Sequence, residues 1–113
     1  MDRGFLGEEA FSIRLVCESN LMLGRYRDAV GACERAAARE NWWVDHAWLV
    51  AGYAQLGDAA KTHLAKSELL KQQPRFTIDK FKTSDAASNS PAYLQRAEVH
   101  LYTGLRKAGL SDR

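Results

Sequence analysis

Apolar residues recur along this chain every three or four positions, the spacing that lines one face of a helix. From about Glu8 to Leu23, Phe11, Leu15, Cys17, Leu21 and Met22 keep that period, with Glu8 and Glu9 in the first turn and Gly24 at the end. Acidic groups at a helix start complement the backbone dipole, and glycine takes the left-handed conformation that ends many helices. A second run covers Tyr26 to Glu40, with Tyr26, Ala29, Val30, Cys33, Ala36 and Ala37 on its apolar face, and Asn41 breaks it. A third, Trp43 to Leu56, carries Ala47, Val50, Ala51 and Ala54. Gly57-Asp58 then makes a turn in which Asp58 is placed to cap the next helix. The fourth run, from Ala59 to about Gln73, stops at Pro74.

Beyond Pro74 the pattern changes. Thr77 to Lys82 allows one short helical turn, and T-S-D-A-A-S-N-S after it is loop chemistry. Ser90-Pro91 opens a last helix to about Ala108, with Ser as N-cap and Pro in the first turn. Tyr93, Leu94, Ala97, Leu101, Leu105 and Ala108 form its stripe, and Gly109 is its stop. Alanine supplies 17 of the 113 residues, and β-branched residues cluster nowhere, so the expected fold class is all-α.

The helices come in pairs. Gly24 and Gly57 stand 33 residues apart, each between two helices of similar length, and L-G-R-Y-R-D-A (23–29) parallels L-G-D-A-A-K-T (56–62). A helix-turn-helix unit repeating at about 34 residues is the tetratricopeptide signature. On these residues the chain resembles the tetratricopeptide-repeat (TPR) family. Repeat 1 spans about 10–41, where Gly24, Tyr26, Ala29 and Ala36 match; Cys33 replaces the usual aromatic and Asn41 the usual proline. Repeat 2 spans about 43–74, where Leu49, Tyr53, Gly57 and Pro74 match, His46 replaces tryptophan, and Thr62 and Lys66 fall at usually apolar positions. The expected architecture is a single domain over 1–113: about two TPR-like repeats stacked as an α-α superhelix, a linker over 75–89 and a C-terminal capping helix over 90–109.

A narrower resemblance covers residues 43–110. A-W-L-V-A-G-Y-A-Q-L-G-D, L-L-K-Q-Q-P-R-F-T and the terminal G-L-R-K-A-G-L are similar to the C-terminal TPR-like region of bacterial class III adenylate cyclases. The resemblance implies a fragment of a larger cytoplasmic signalling protein whose catalytic domain, with its metal-binding aspartates, is absent from this chain.

Composition narrows the function further. Sixteen basic against fourteen acidic residues leave a net charge of +2, too small to argue for nucleic acid, whose binding depends on a concentrated basic face. No apolar run approaches the roughly 18 residues of a membrane helix. Cys17 and Cys33 form no C-x-x-C pair and are expected as buried, reduced thiols. Gly52-x-x-x-x-Gly57 has P-loop spacing, but Asp58-Ala59 stand where Lys-Ser/Thr should follow, and the preceding segment is helical. Gly52 is therefore expected where two helices touch. His46, His63 and His100 fall on different helices without a second ligand nearby, so no metal site and no cofactor is expected. No nucleophile has a base and acid in sequence reach, and no catalytic residue is assigned. Lys61, Lys66, Lys71, Arg75, Lys80 and Lys82 read as a solvated helix edge.

The TPR resemblance implies a protein or peptide partner in a groove lined by the first helix of each repeat. Matched position by position, the candidates are Phe11, Arg14, Glu18, Leu21 and Met22 in repeat 1. In repeat 2 they are Ala47, Ala51 and Gln55, with Val44 and Ala54 beside them. Arg14 and Glu18, four apart, are spaced to pair with each other. Trp42 and Trp43 lie at the inter-repeat turn, where an exposed ring serves as a binding hot spot and a buried one as core. The expected function is a non-catalytic interaction or regulatory module. The alternatives are a structural cap or self-association element (a homo-oligomer), and a small-ligand sensor near Trp48. Phe5, Leu6 and Phe11 mark a flank where a preceding domain or second copy docks.

Overall fold

The computed structural model describes residues 3–84 and 90–113, with side chains from residue 9 onward. Four long helices follow one another: α1 (Arg3–Met22), α2 (Tyr26–Arg39), α3 (Trp43–Leu56) and α4 (Ala59–Gln72). A short α5 (Ile78–Lys82) follows, then α6 (Pro91–Ala97), which runs through a π-helical turn (Glu98–Tyr102) into α7 (Thr103–Lys107). No strand occurs among the described residues. Helix α1 starts five residues before the expected Glu8, so Gly7 lies inside it. Phe5 and Leu6 share its backbone, but their side chains lie outside the described residues, as does 85–89 of the expected linker.

Consecutive helices pack on one another, and α3 also touches α1, the π turn and α7. Every residue from Val44 to Tyr53 is buried. A helix apolar all round belongs inside a core, and α3 is the axis about which the others gather.

Three helix ends share one chemistry. Gly24, Gly57 and Gly109 have φ of 76°, 76° and 89°. At each, the next N–H reaches back five residues: Arg25 to the Asn20 carbonyl, Asp58 to Tyr53, Leu110 to Leu105. This closes orphan carbonyls of the last turn, and only glycine adopts the conformation without strain. At Gly57 an added Cβ would meet nothing within 4 Å, so backbone conformation alone requires the glycine. Asp58 caps α4 by accepting from the Lys61 N–H at 3.1 Å. The Gly52–Gly57 spacing thus belongs to a helix contact and a turn. A Cβ on Gly52 would sit 2.5 Å from Val30 Cγ1 of α2.

Cys17 and Cys33 correct an expectation. Both are buried, but they form a disulfide joining α1 to α2, with Cα atoms 5.2 Å apart. Each lies eight residues from Arg25, the centre of the turn, and residues equidistant from a hairpin turn face each other.

The region after Pro74 contributes to the core. Ile78 and Phe81 are buried, and Phe81 stacks edge-on with Trp43 and Tyr102 at 5.7 and 6.3 Å between centroids. Thr77 caps α5 by accepting from the Lys80 N–H. The Ile78 and Asp79 N–H groups donate to the Ser111 and Asp112 carbonyls, so the C-terminal tail completes the start of α5.

The last helix is not uniformly α. In the π turn, Gln55 Nε2 donates to the Val99 and His100 carbonyls at 3.1 and 3.2 Å, and Thr103 Oγ1 to the Glu98 carbonyl at 2.7 Å. Widening the helix there leaves carbonyls without their usual partner, and these side chains supply substitutes. The Lys66 ammonium donates to the Ala108 carbonyl, and buried Thr62 donates to the Asp58 carbonyl.

Candidate functional site

Where α1 faces the corner between α2 and α3, the packed helices leave an open groove of about 600 Å3. Phe11, Arg14, Leu15 and Glu18 line it from α1, Glu40, Asn41 and Trp42 from the corner, and Trp48 from α3. Its volume falls in the range of binding pockets. The local sequence explains the wall. Residues 11, 15 and 18 recur at helical spacing and share one side of α1, beside the buried stripe of Ala10, Arg14, Cys17 and Leu21.

Arg14 is the structural centre of this groove. Its Nε and Nη2 donate to Asp45 Oδ1 and Oδ2 at 2.5 and 2.9 Å, and Nη2 lies 3.6 Å from Glu40 Oε1. Its guanidinium carbon stands 4.7 Å from the Trp42 ring centroid. Arg14 and Asp45 are both buried. The hydrogen bonds it donates to Asp45 hold the guanidinium above its ordinary range, against the opposing effect of burial. Glu18, the expected partner of Arg14, sits instead beside Tyr93 of α6. Burial pushes its carboxyl above the usual range, partly offset by the Tyr93 hydroxyl.

The apolar surface here is exposed. Phe11 is 57% accessible, Leu15 45% and Trp42 38%. Trp48, by contrast, is buried, and its indole Nε1 has no hydrogen-bond partner among the described residues. An unpaired buried N–H costs on the order of 1–3 kcal/mol.

The residues matched from sequence separate into two sets. Phe11, Arg14, Glu18 and Trp42 come together in the groove. Leu21, Met22, Ala47 and Ala51 are buried in the helix core, as is Val44, and present no surface to a partner. Gln55 spends its amide on the π turn and accepts from Lys107 Nζ at 2.7 Å. Trp43 packs against Phe76 and Phe81. Leu15, Glu40, Asn41 and Trp48 were not among the matched positions. Leu15 carried a usable signal, being one turn from both Phe11 and Glu18; the corner residues carried none, because a loop has no period.

Asn41 Oδ1 accepts from Gln72 Nε2 at 3.2 Å and lies 2.5 Å from His46 Nε2, tying the corner to α3 and α4. His100 Nδ1 lies 2.7 Å from the Tyr26 hydroxyl. Among the described residues no group of His, Cys, Asp or Glu is arranged to hold a metal, and no helix is long and apolar enough to cross a membrane. The basic residues of 61–82 are dispersed: Lys71 meets Glu68, Lys82 meets Glu98, and Lys80 reaches the Arg75 carbonyl. Comparison with family models, with curated proteins and with solved structures finds no match to this chain.

Proposed function

We propose that this chain is a non-catalytic, TPR-like interaction module whose groove beside α1 holds a segment of a protein partner. One observation carries the reading: Phe11, Leu15 and Trp42 stay exposed around a groove whose base is fastened by the buried Arg14–Asp45 pair. A rigid floor with apolar side chains at its mouth lowers the ordering cost of binding, and aromatic side chains are favoured anchors. The repeat pattern supports a TPR-like arrangement, since two helical hairpins turn through matching glycines 33 residues apart. On the sequence resemblance alone, the module serves a bacterial adenylate cyclase-type signalling protein. The Cys17–Cys33 disulfide weighs against the cytoplasmic setting that the resemblance implies, because cytosolic thiols are ordinarily kept reduced.

The test is selection of peptides from a random displayed library on the whole chain, repeated on the Phe11→Ser/Leu15→Ser variant. Peptides captured by the parent and lost by the variant support the reading; peptides retained equally by both overturn it.

A second reading, a structural cap or self-association element, is favoured by Val16 and Leu23. They are 48% and 54% exposed, Val16 on α1 and Leu23 in the turn just after it, and neither lines the groove. Light scattering over a concentration series distinguishes it, because a monomer throughout rules out self-association through that flank.

A further inference from the structure

The groove carries information about the charge of its occupant. One guanidinium, Arg14, stands among three carboxylates: Glu18 and Glu40 in the lining, and Asp45 behind it. Both of Asp45's oxygens are committed to Arg14, and among the described residues no other basic side chain lines the groove. The local charge is therefore negative although the chain as a whole carries +2. Glu40 keeps half its side-chain surface in water, and Glu18 is drawn partly out of it. A partly desolvated carboxylate is stabilised by an incoming cation and destabilised by an anion.

A second, independent observation concerns Trp48. Trp48 is among the residues lining the same groove, while its Nε1–H is buried beneath the surface and lacks an acceptor among the described residues, so the indole senses an occupant without bonding to it.

We propose that the groove selects a basic–apolar peptide segment: a Lys or Arg side chain drawn to Glu18 and Glu40, and an adjacent apolar side chain on Phe11, Leu15 and Trp42. This rests on the interaction-module reading and adds the chemistry of the partner. An acidic tail is disfavoured by the three carboxylates, and a membrane surface by the groove's concavity and negative charge.

The experiment uses the peptides selected on the whole chain and lost on Phe11→Ser/Leu15→Ser. Their sequences are compared, and a synthetic copy is titrated by Trp fluorescence into the parent and into Glu18→Gln/Glu40→Gln. The expected result is enrichment of Lys or Arg next to an apolar residue, and affinity weakened about ten-fold or more by the double amide, with the loss shrinking at high salt. Glutamine keeps the shape and a polar neighbour for Tyr93. If the double variant melts early, Glu40→Gln alone, at an exposed carboxylate, supplies the comparison. Groove-dependent peptides that are neutral or acidic, or whose affinity the amides leave unchanged, overturn this inference while the interaction reading stands. Absence of any Phe11- and Leu15-dependent peptide overturns both.

Discussion

Arg14 on α1 donates two hydrogen bonds to Asp45 on α3, thirty-one residues later, with both side chains buried. The pair fixes the separation of the two helices that form the groove. Removing one partner leaves the other charged, desolvated and unpaired. Asp45→Ala is expected to cost about 3–5 kcal/mol, whereas an apolar replacement of both, Arg14→Met with Asp45→Leu, costs far less or stabilises. Denaturant unfolding of the three proteins measures this. Equal losses in the single and double variants contradict the pairing.

The capping helix meets α3 at its closest at Gly104. A Cβ there would lie 2.8 Å from the Ala51 carbonyl oxygen and 2.9 Å from Ala51 Cα, and backbone cannot step aside as a side chain can. Gly104→Ala is expected to destabilise by about 1–3 kcal/mol through overpacking. Gly31→Ala is the control. It too is helical, but its nearest neighbour is the flexible Arg35 terminus at 3.8 Å, so helix propensity dominates and stability rises by up to about 1 kcal/mol. Thermal melts of both variants decide whether close contact, and not glycine content, governs the first position.

The Cys17–Cys33 bond closes a loop of 15 intervening residues. Constraining the unfolded chain by such a loop contributes about 3 kcal/mol in the loop-entropy model. Reduction, or Cys17→Ala with Cys33→Ala, is expected to lower the melting point accordingly. Because both sulfurs are buried, the native protein is expected to resist mild reductant and to yield two thiols only when unfolded. Thiol titration before and after denaturation checks this. Free thiols in the freshly prepared native protein contradict it.

Acid sensitivity at the C-terminus rests on one arginine. Arg106 donates to Glu98 and Asp112 and holds both carboxyls below their ordinary range, chiefly through those hydrogen bonds. A carboxyl whose folded pKa is depressed stabilises the fold above its unfolded pKa and loses that contribution as pH falls through the folded value. The tail is therefore expected to loosen below about pH 4, where carboxylates ordinarily protonate. Its carbonyls accept from the Ile78 and Asp79 N–H groups, so hydrogen exchange at those two amides reports the change. Arg106→Gln is expected to make their exchange fast already at neutral pH and to flatten its response to acid.

Much of the fold was legible in local chemistry. The limits of α3, the Asp58 and Ser90 caps and the glycine turns each follow from a few adjacent residues. Gly52 was legible as a helix contact for the same reason: a small residue amid larger apolar ones marks close approach. The disulfide was missed because the cysteines were weighed singly. Only their symmetry about Arg25 brings them together. Arg14 was read against Glu18 one turn away, but the buried Asp45 across the interface offers two hydrogen bonds in place of a solvated contact. The π turn had no sequence mark of its own, since it depends on the Gln55 amide forty-four residues before Val99. The groove was half legible. The α1 positions follow from periodicity, whereas matching every first-helix residue to a concave face overlooked that small residues such as Ala47 and Ala51 are consumed in packing α3.

The central claim is that a partner segment enters the groove beside α1 and meets Trp48. It is tested most directly by NMR titration of the 15N-labelled chain with a peptide selected on the parent protein. The Trp48 indole N–H resonance is expected to shift as the groove beside it fills, together with amides of Phe11, Leu15 and Trp42. Shifts confined to the α4 face around Lys61 and Leu64, with the Trp48 indole unmoved at saturation, would contradict it.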